Sequence, residues 1–355
     1  MRTRRWRVAV SVLSTVAALG CARPGFAQAP APPAQAVPAA PKPTPAAPAP
    51  ARKPAKPPAK PLSAPPAAEA ASPGADLAFG AFQRGYFLTA FHEATKNVDQ
   101  RQDPKSMTLL GELYANGLGV PANDVQAAKW YSLAAERGDR EAMFALAMFR
   151  ISGRGGPRDG AEAARLLAAA AKLGHAAAAY DLGLLYLEGQ QFPQDFARAA
   201  ELFRQAAQAG SPEAQYALAT LYKDGRGVPK DDREATRLMA AAALADSLDA
   251  EVEYAIALFN GTGTPKDEPR AIALFRKAAM RGSPIAQNRL ARILAAGRGV
   301  PADPVEATKW HLIAKAGGAS DPSLDDFVQK QAPETRAAAD KAAKPWLDFI
   351  AQARS

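Results

Sequence analysis

The chain has 355 residues, 48% hydrophobic and 22% charged, with a formal net charge of +9 and a single cysteine. Residues 1–74 hold ten Lys/Arg against one acid, Glu69, and so carry that whole charge, while residues 75–355 balance 34 bases with 34 acids. A basic domain face is the footprint of a nucleic-acid-binding protein and none is indicated; one cysteine also excludes a disulfide framework.

Residues 1–27 read as a secretory signal peptide. Arg2, Arg4, Arg5 and Arg7 form a charged start, Val8–Leu19 an apolar segment too short to span a bilayer comfortably, and Gly25-Phe-Ala27 a small-x-small cleavage site. Cleavage after Ala27 places the mature protein in the periplasm and removes Cys21, leaving no thiol chemistry. Ala18-Leu-Gly-Cys21 also resembles a bacterial lipobox, so a protein lipid-anchored at Cys21 is the alternative. Residues 28–74 are almost wholly Ala, Pro, Lys and small polar residues. That composition predicts a disordered, extended linker reaching about 145 Å at most, either a solvated spacer or a weak contact to an anionic envelope or cell-wall surface.

Residues 75–102 are expected to form N-terminal capping helices, with Leu77, Phe79, Phe82, Tyr86, Phe87 and Phe91 on their apolar side. Residues 103–318 then repeat one 36-residue unit six times without insertion or deletion. The first loop glycine recurs at Gly117, Gly153, Gly189, Gly225, Gly261 and Gly297; the closing position at Gly138, Gly174, Gly210, Asp246, Gly282 and Gly318. A fixed period of this size means a stacked array, each unit too small to bury a core alone. In the fourth unit Ser211 caps helix A, Pro212 takes its first position, Asp224-Gly-Arg-Gly-Val-Pro229 breaks it, and Asp231 caps helix B. The proline and, two residues on, an Asn or Asp cap recur in every copy, from Pro121 and Asn123 to Pro301 and Asp303. Large residues (Leu110, Leu146, Leu182, Leu218, Tyr254, Leu290) precede small ones (Gly111, Ala147, Gly183, Ala219, Ala255, Ala291) on helix A. Helix B alternates alanines, from Ala127 to Ala307, with Trp130, Leu166, Leu202, Leu238, Leu274 and Trp310, the pattern of interdigitating helices. Residues 319–355 supply C-terminal capping helices, and Trp346, 36 residues after Trp310, is placed in a seventh helix-B column; no room remains for a separate catalytic domain.

Ala214, Leu218, Tyr222, Gly225, Gly227, Val228, Pro229, Ala235 and Gly210 together resemble the Sel1-like repeat, a relative of the tetratricopeptide repeat. The resemblance implies an all-α, right-handed α-solenoid whose helices A line a concave wall, and adaptor roles toward other proteins. Departures are local: Gln190-Gln-Phe192 in the third copy, Arg150 in the tyrosine column, and Asp246 at a closing glycine.

No catalytic constellation, metal site or cofactor site emerges. His92, His175 and His311 fall in a capping helix, an inter-repeat turn and a core column, and His311 replaces the aromatic or Met of other copies as a packing residue. The glycine loops follow helices rather than strands and lack a P-loop lysine. Acidic pairs such as Asp231-Asp232 and Glu251/Glu253 read as caps and solvated faces.

A helical wheel places one helix-A column, Glu112, Met148, Leu184, Thr220, Ile256 and Arg292, away from the core, and no residue type repeats in it. The neighbouring column, Leu109, Ala145, Asp181, Ala217, Glu253 and Arg289, is expected to be exposed as well. Exposed Met148, Leu184 and Ile256 would anchor a partner, with Glu112 and Arg292 setting its direction through charge. The reading is a monomeric, non-enzymatic protein-interaction scaffold or regulator of the envelope that binds a protein segment, without nucleic acid or cofactor. A cell-wall-binding or peptidoglycan-associated factor with enzymatic activity, and a structural tether, are the alternatives.

Overall fold

Helix B of every repeat opens on a side chain that accepts a backbone N–H three residues on: Asn123 from Gln126, Asp159 from Glu162, Asp195 from Arg198, Asp231 from Glu234, Asp267 from Arg270 and Asp303 from Glu306. Each such cap is worth about 1 kcal/mol. Helix A is capped in the same way by Asp103, Asp139, His175, Ser211 and Ser283, whereas Ser247 makes no such bond. The computed structural model describes residues 76–189 and 192–354. The signal peptide, the linker, Cys21 and Gln190-Gln191 lie outside the described residues.

Sixteen helices and no strand are present among the described residues. The leading helices are α1 (Leu77–Gln83) and α2 (Phe87–Arg101). The first three repeats are α3 (Pro104–Asn116) with α4 (Asp124–Glu136), α5 (Arg140–Ser152) with α6 (Gly160–Lys172), and α7 (Ala176–Glu188) with α8 (Phe196–Gln208). The next three are α9 (Pro212–Asp224) with α10 (Asp232–Leu244), α11 (Leu248–Asn260) with α12 (Glu268–Met280), and α13 (Pro284–Ala296) with α14 (Pro304–Ala316). The chain ends in α15 (Pro322–Gln329) and α16 (Pro333–Arg354). From α1 to α14 each helix packs most closely on its neighbours in sequence, as a stacked array of helix pairs requires.

Within a repeat, small residues on helix A admit large ones from helix B. Gly111 faces the Tyr131 ring and Gly183 the Phe203 ring, and an added Cβ at either would stand 2.6 Å from a ring carbon. The leucine column at 110, 146, 182, 218 and 290 and the alanine column of helix B are buried throughout. Between repeats, the second loop glycine is the joint. Gly227 sits at φ +70°, and a Cβ there would collide with the Phe196 carbonyl at the start of the preceding helix B.

The residue between the two loop glycines secures that joint. Arg154 reaches back to Asp124 at 2.6 Å and lies 4.5 Å from the Phe149 ring centroid. Arg226 stacks at 4.0 Å over Phe196, and Arg298 pairs with Glu268 at 3.3 Å. In the fifth repeat the carbonyl of Thr262 accepts the Thr236 hydroxyl instead, at 3.0 Å.

Three expectations are corrected. Leu109 is buried in the core cluster, and Ala145, Asp181, Ala217 and Glu253 of the same column are half-buried, so only Arg289 is exposed as expected. Glu251 is not on a solvated face: it is 1% exposed and held by Arg281 at 2.7 Å and Lys277 at 3.1 Å, an acidic side chain tolerated in the core because two basic ones meet it. Finally, Trp346 does not continue a regular seventh repeat. The short α15 touches α13 and α14 only lightly, and α16 lies directly on α14, with Trp346 5.7 Å from Trp310 between ring centroids.

The array begins differently. Gln102 adopts φ +51° at the place 36 residues before Gly138, so α2 is the second helix of a shortened leading copy. Asp246 likewise takes the left-handed conformation of the glycine it replaces, φ +68°.

Candidate protein-interaction surface

The variable helix-A column runs along the array at one residue per repeat. Glu112, Met148, Leu184, Thr220 and Ile256 are half-buried, and Arg292 is exposed. Met148, Leu184 and Ile256 each rest one flank on a core cluster, so they are shelves in the wall rather than free knobs. The Thr220 hydroxyl donates to the Tyr216 carbonyl at 3.1 Å. Ile256 and Arg292 are brought together in one cleft; Glu112, Met148, Leu184 and Thr220 continue the same column toward the N-terminal end.

That cleft, of about 280 Å³, lies between α11 and α13. Phe275 and Ile293 form its closed floor, Ile256, Phe259 and Ala296 its walls, and Asn260, Arg289, Arg292 and Arg298 its polar rim. A smaller cleft of about 170 Å³ adjoins it on the other side of α11 and shares Ile256 and Asn260. There Lys223 and Glu253 close on each other at 2.8 Å, beside Asp232, Thr236 and Thr262. The wheel did not find Asn260, Phe259 or Arg298 as cleft residues, because their positions depend on the neighbouring repeat; the two arginines at 289 and 292, four residues apart from the apolar floor position Ile293 or less, were the available signal.

Charge changes sign along the wall. Burial raises the Glu112 carboxyl above its ordinary value and pushes Asp181 up to about 6. Burial, helped by Glu253 and Asp249, likewise moves the Tyr216 phenol up to about 12. At the far end the balance reverses at Asp321, the N-cap of α15. Burial works to raise its carboxyl, yet hydrogen bonds from Arg292, Ser323 and Asn288 hold it well below the usual range.

The histidines stand apart. His175 accepts the Ala178 N–H through Nδ1 and meets Glu141 at 3.0 Å through Nε2, and so caps α7. His311 is buried as expected of a packing residue but also ties α14 to α15 through Asp325 at 2.8 Å. No group of three or more His, Cys, Asp or Glu suited to a metal occurs among the described residues, and none of their helices is long and apolar enough to cross a membrane.

The Sel1 repeat model matches residues 104–139, 140–175, 176–211, 212–247, 248–283 and 284–318. No curated protein matches the chain. Among solved structures the fold is similar to c5321, a protective antigen of uropathogenic Escherichia coli with an SLR fold, at 26% identity and a TM-score of 0.66. That likeness covers 78% of this chain and 62% of the antigen, so the chain spans less than two thirds of that relative's length. A Sel1 repeat protein of Oxalobacter formigenes is 28% identical with a TM-score of 0.58, over 68% of this chain and 97% of that one. Sel1 repeat proteins generally mediate protein–protein interaction, and the solenoid is typically a non-enzymatic scaffold. With six consecutive copies filling the middle of the sequence in unbroken register, the chain belongs to the Sel1 repeat family.

Proposed function

We propose that the protein is a non-enzymatic scaffold of the bacterial envelope that receives a segment of a partner protein along its helix-A wall. The observation carrying this reading is a contrast of columns. Turn glycines, caps and helix-B alanines repeat from copy to copy, whereas Glu112, Met148, Leu184, Thr220, Ile256 and Arg292 change at every step while keeping part of their surface open. Binding energy concentrates in a few well-seated apolar anchors, and the half-buried Met148, Leu184 and Ile256 are shaped for that role. Export by the segment 1–27, with Gln28 as the mature terminus, and tethering by residues 28–74 complete the proposal. Mass spectrometry of the mature N-terminus tests the export half: a lipid-modified Cys21 would make the protein membrane-anchored instead.

The binding half is tested by affinity capture from native envelopes. The full chain is compared with the triple variant Met148→Gln, Leu184→Gln and Ile256→Gln, which removes apolar surface without adding charge. Capture of specific partners should be lost while helical circular dichroism and the melting profile stay near wild type. Undiminished capture by the folded variant contradicts the reading.

A further inference from the structure

We infer that the cleft between α11 and α13 holds an acidic side chain of an extended partner segment, with an adjacent apolar side chain of that segment seated on the floor. The inference rests on the scaffold reading and names the chemistry of the occupant. The floor is apolar and closed: Phe275 is 1% exposed and Ile293 5%. Three guanidinium groups, of Arg289, Arg292 and Arg298, stand around it, and none of the residues lining the cleft is acidic. Two of the three are already aimed. Arg292 is tied through Nε to the buried Asp321, and Arg298 is tied through Nε to Glu268 and lies 4.4 Å from the Phe259 ring centroid. Arg289, at the exposed rim, makes no ion pair among the described residues. Arg292 and Arg298 are thus neutralised by their own acids and lose little freedom in offering their remaining N–H groups, and Arg289 is the cation left for a partner's carboxylate.

The neighbouring cleft fixes which way the segment runs. Its Lys223–Glu253 pair is internally neutralised and its other polar groups include Thr236 and Thr262, so it offers hydrogen bonds but no free cation. Ile256 and Asn260 belong to both clefts and join them across α11. A segment lying across α11 therefore places its uncharged part toward the fourth repeat and its acid toward the sixth. The occupant is a protein segment rather than a nucleic acid, because three arginines confined to one inter-helix cleft on a neutral array do not form the basic stripe that a phosphate backbone tracks.

The test uses the full chain and two sets of fluorescein-labelled nonapeptides, acetylated and amidated at their ends. One set has a central Glu flanked by Leu, Ile, Phe or Met; the other differs only in a central Gln. Binding is read by anisotropy, and its place by photo-cross-linking from Asn260→benzoylphenylalanine. The Glu set should bind about tenfold more tightly than the Gln set, the scale of one charge-assisted hydrogen bond. Arg289→Glu, an exposed change, should remove that preference. Equal binding of the Glu and Gln sets, binding of neither, or an undiminished Glu preference in Arg289→Glu overturns the inference. If the two sets bind equally and still cross-link from position 260, the acidic anchor fails while the scaffold reading stands. Binding of both sets with no cross-link from position 260 would place the segment outside the cleft and overturn the inference as well.

Discussion

The glycine loops and the helix-A wall occupy equally regular places in the array, yet they treat sequence in opposite ways. At the loop the backbone of one repeat meets the backbone of the previous one: Gly227 stands against the Phe196 carbonyl, and Gly155 against that of Asp124. Nothing larger fits, so chemistry is dictated by contact. On the wall, each helix A turns one half-open position outward, and its occupants range from Glu112 through Leu184 to Arg292. The geometry there is inherited from packing elsewhere, which leaves the side chain free to vary. Identical geometry with constrained residues marks the joints of the array, and identical geometry with unconstrained residues marks its candidate working surface.

The largest expected effect comes from breaking the constrained side of this comparison. Leu218 is 2% exposed in the core of the fourth repeat, and Leu218→Ala should cost about 2–5 kcal/mol in chemical unfolding. Because units couple chiefly to their neighbours, hydrogen exchange should rise first in α9 and α10 and spread outward; uniform loss over all six repeats would contradict a quasi-one-dimensional array. Next in size is Gly227→Ala, where a left-handed φ and the Phe196 carbonyl act together. A loss of about 2–3 kcal/mol is expected, against a few tenths for Gly210→Ala strain beyond its φ term, since a Cβ at Gly210 meets nothing within 4 Å.

Smaller effects sharpen the wall side. Burial raises the Asp181 carboxyl from an ordinary 3.8 to about 6, so the folded protein retains its proton over a range in which the unfolded chain has released it. Stability therefore falls as pH rises from about 4 to 6, and the penalty is fully present above that window. Asp181→Asn should raise stability by about 1–2 kcal/mol at pH 7.5 and leave it nearly unchanged at pH 3.5; equal gains at both pH values would rule out this ionisation as the cause. The smallest is Arg226→Ala, which removes the 4.0 Å stacking over Phe196 between repeats and should cost about 0.5–1 kcal/mol.

Much of the fold is legible in the sequence because its determinants are local. Asp231 and Pro229 announce helix B within a few residues, and recurrence at 36 residues multiplies that signal six times. What was not legible depends on contacts between repeats. The burial of Leu109 follows from a neighbouring helix that a single-helix wheel omits. Glu251 reads as a surface acid until Lys277 and Arg281, 26 and 30 residues away, are brought to it by the next helix. The C-terminal cap departs for a similar reason: α15 is capped at Asp321, two residues later than the register of Ser283 predicts, and α16 settles on α14 instead of completing a repeat. The candidate site was half legible. Its column was identifiable by variability, but the cleft that joins Ile256, Arg289 and Arg292 to Arg298 exists only once α11 and α13 are side by side.

The central claim, that the varying helix-A positions are where partners bind, is tested most directly by photo-cross-linking in the native envelope. Benzoylphenylalanine is placed singly at wall positions Met148, Leu184, Ile256 and Arg292, and at the exposed helix-B positions Lys129, Arg165 and Arg237. The account predicts that the same partner is captured from the wall positions and not from helix B. Capture confined to the helix-B positions, with none from the wall, would contradict it.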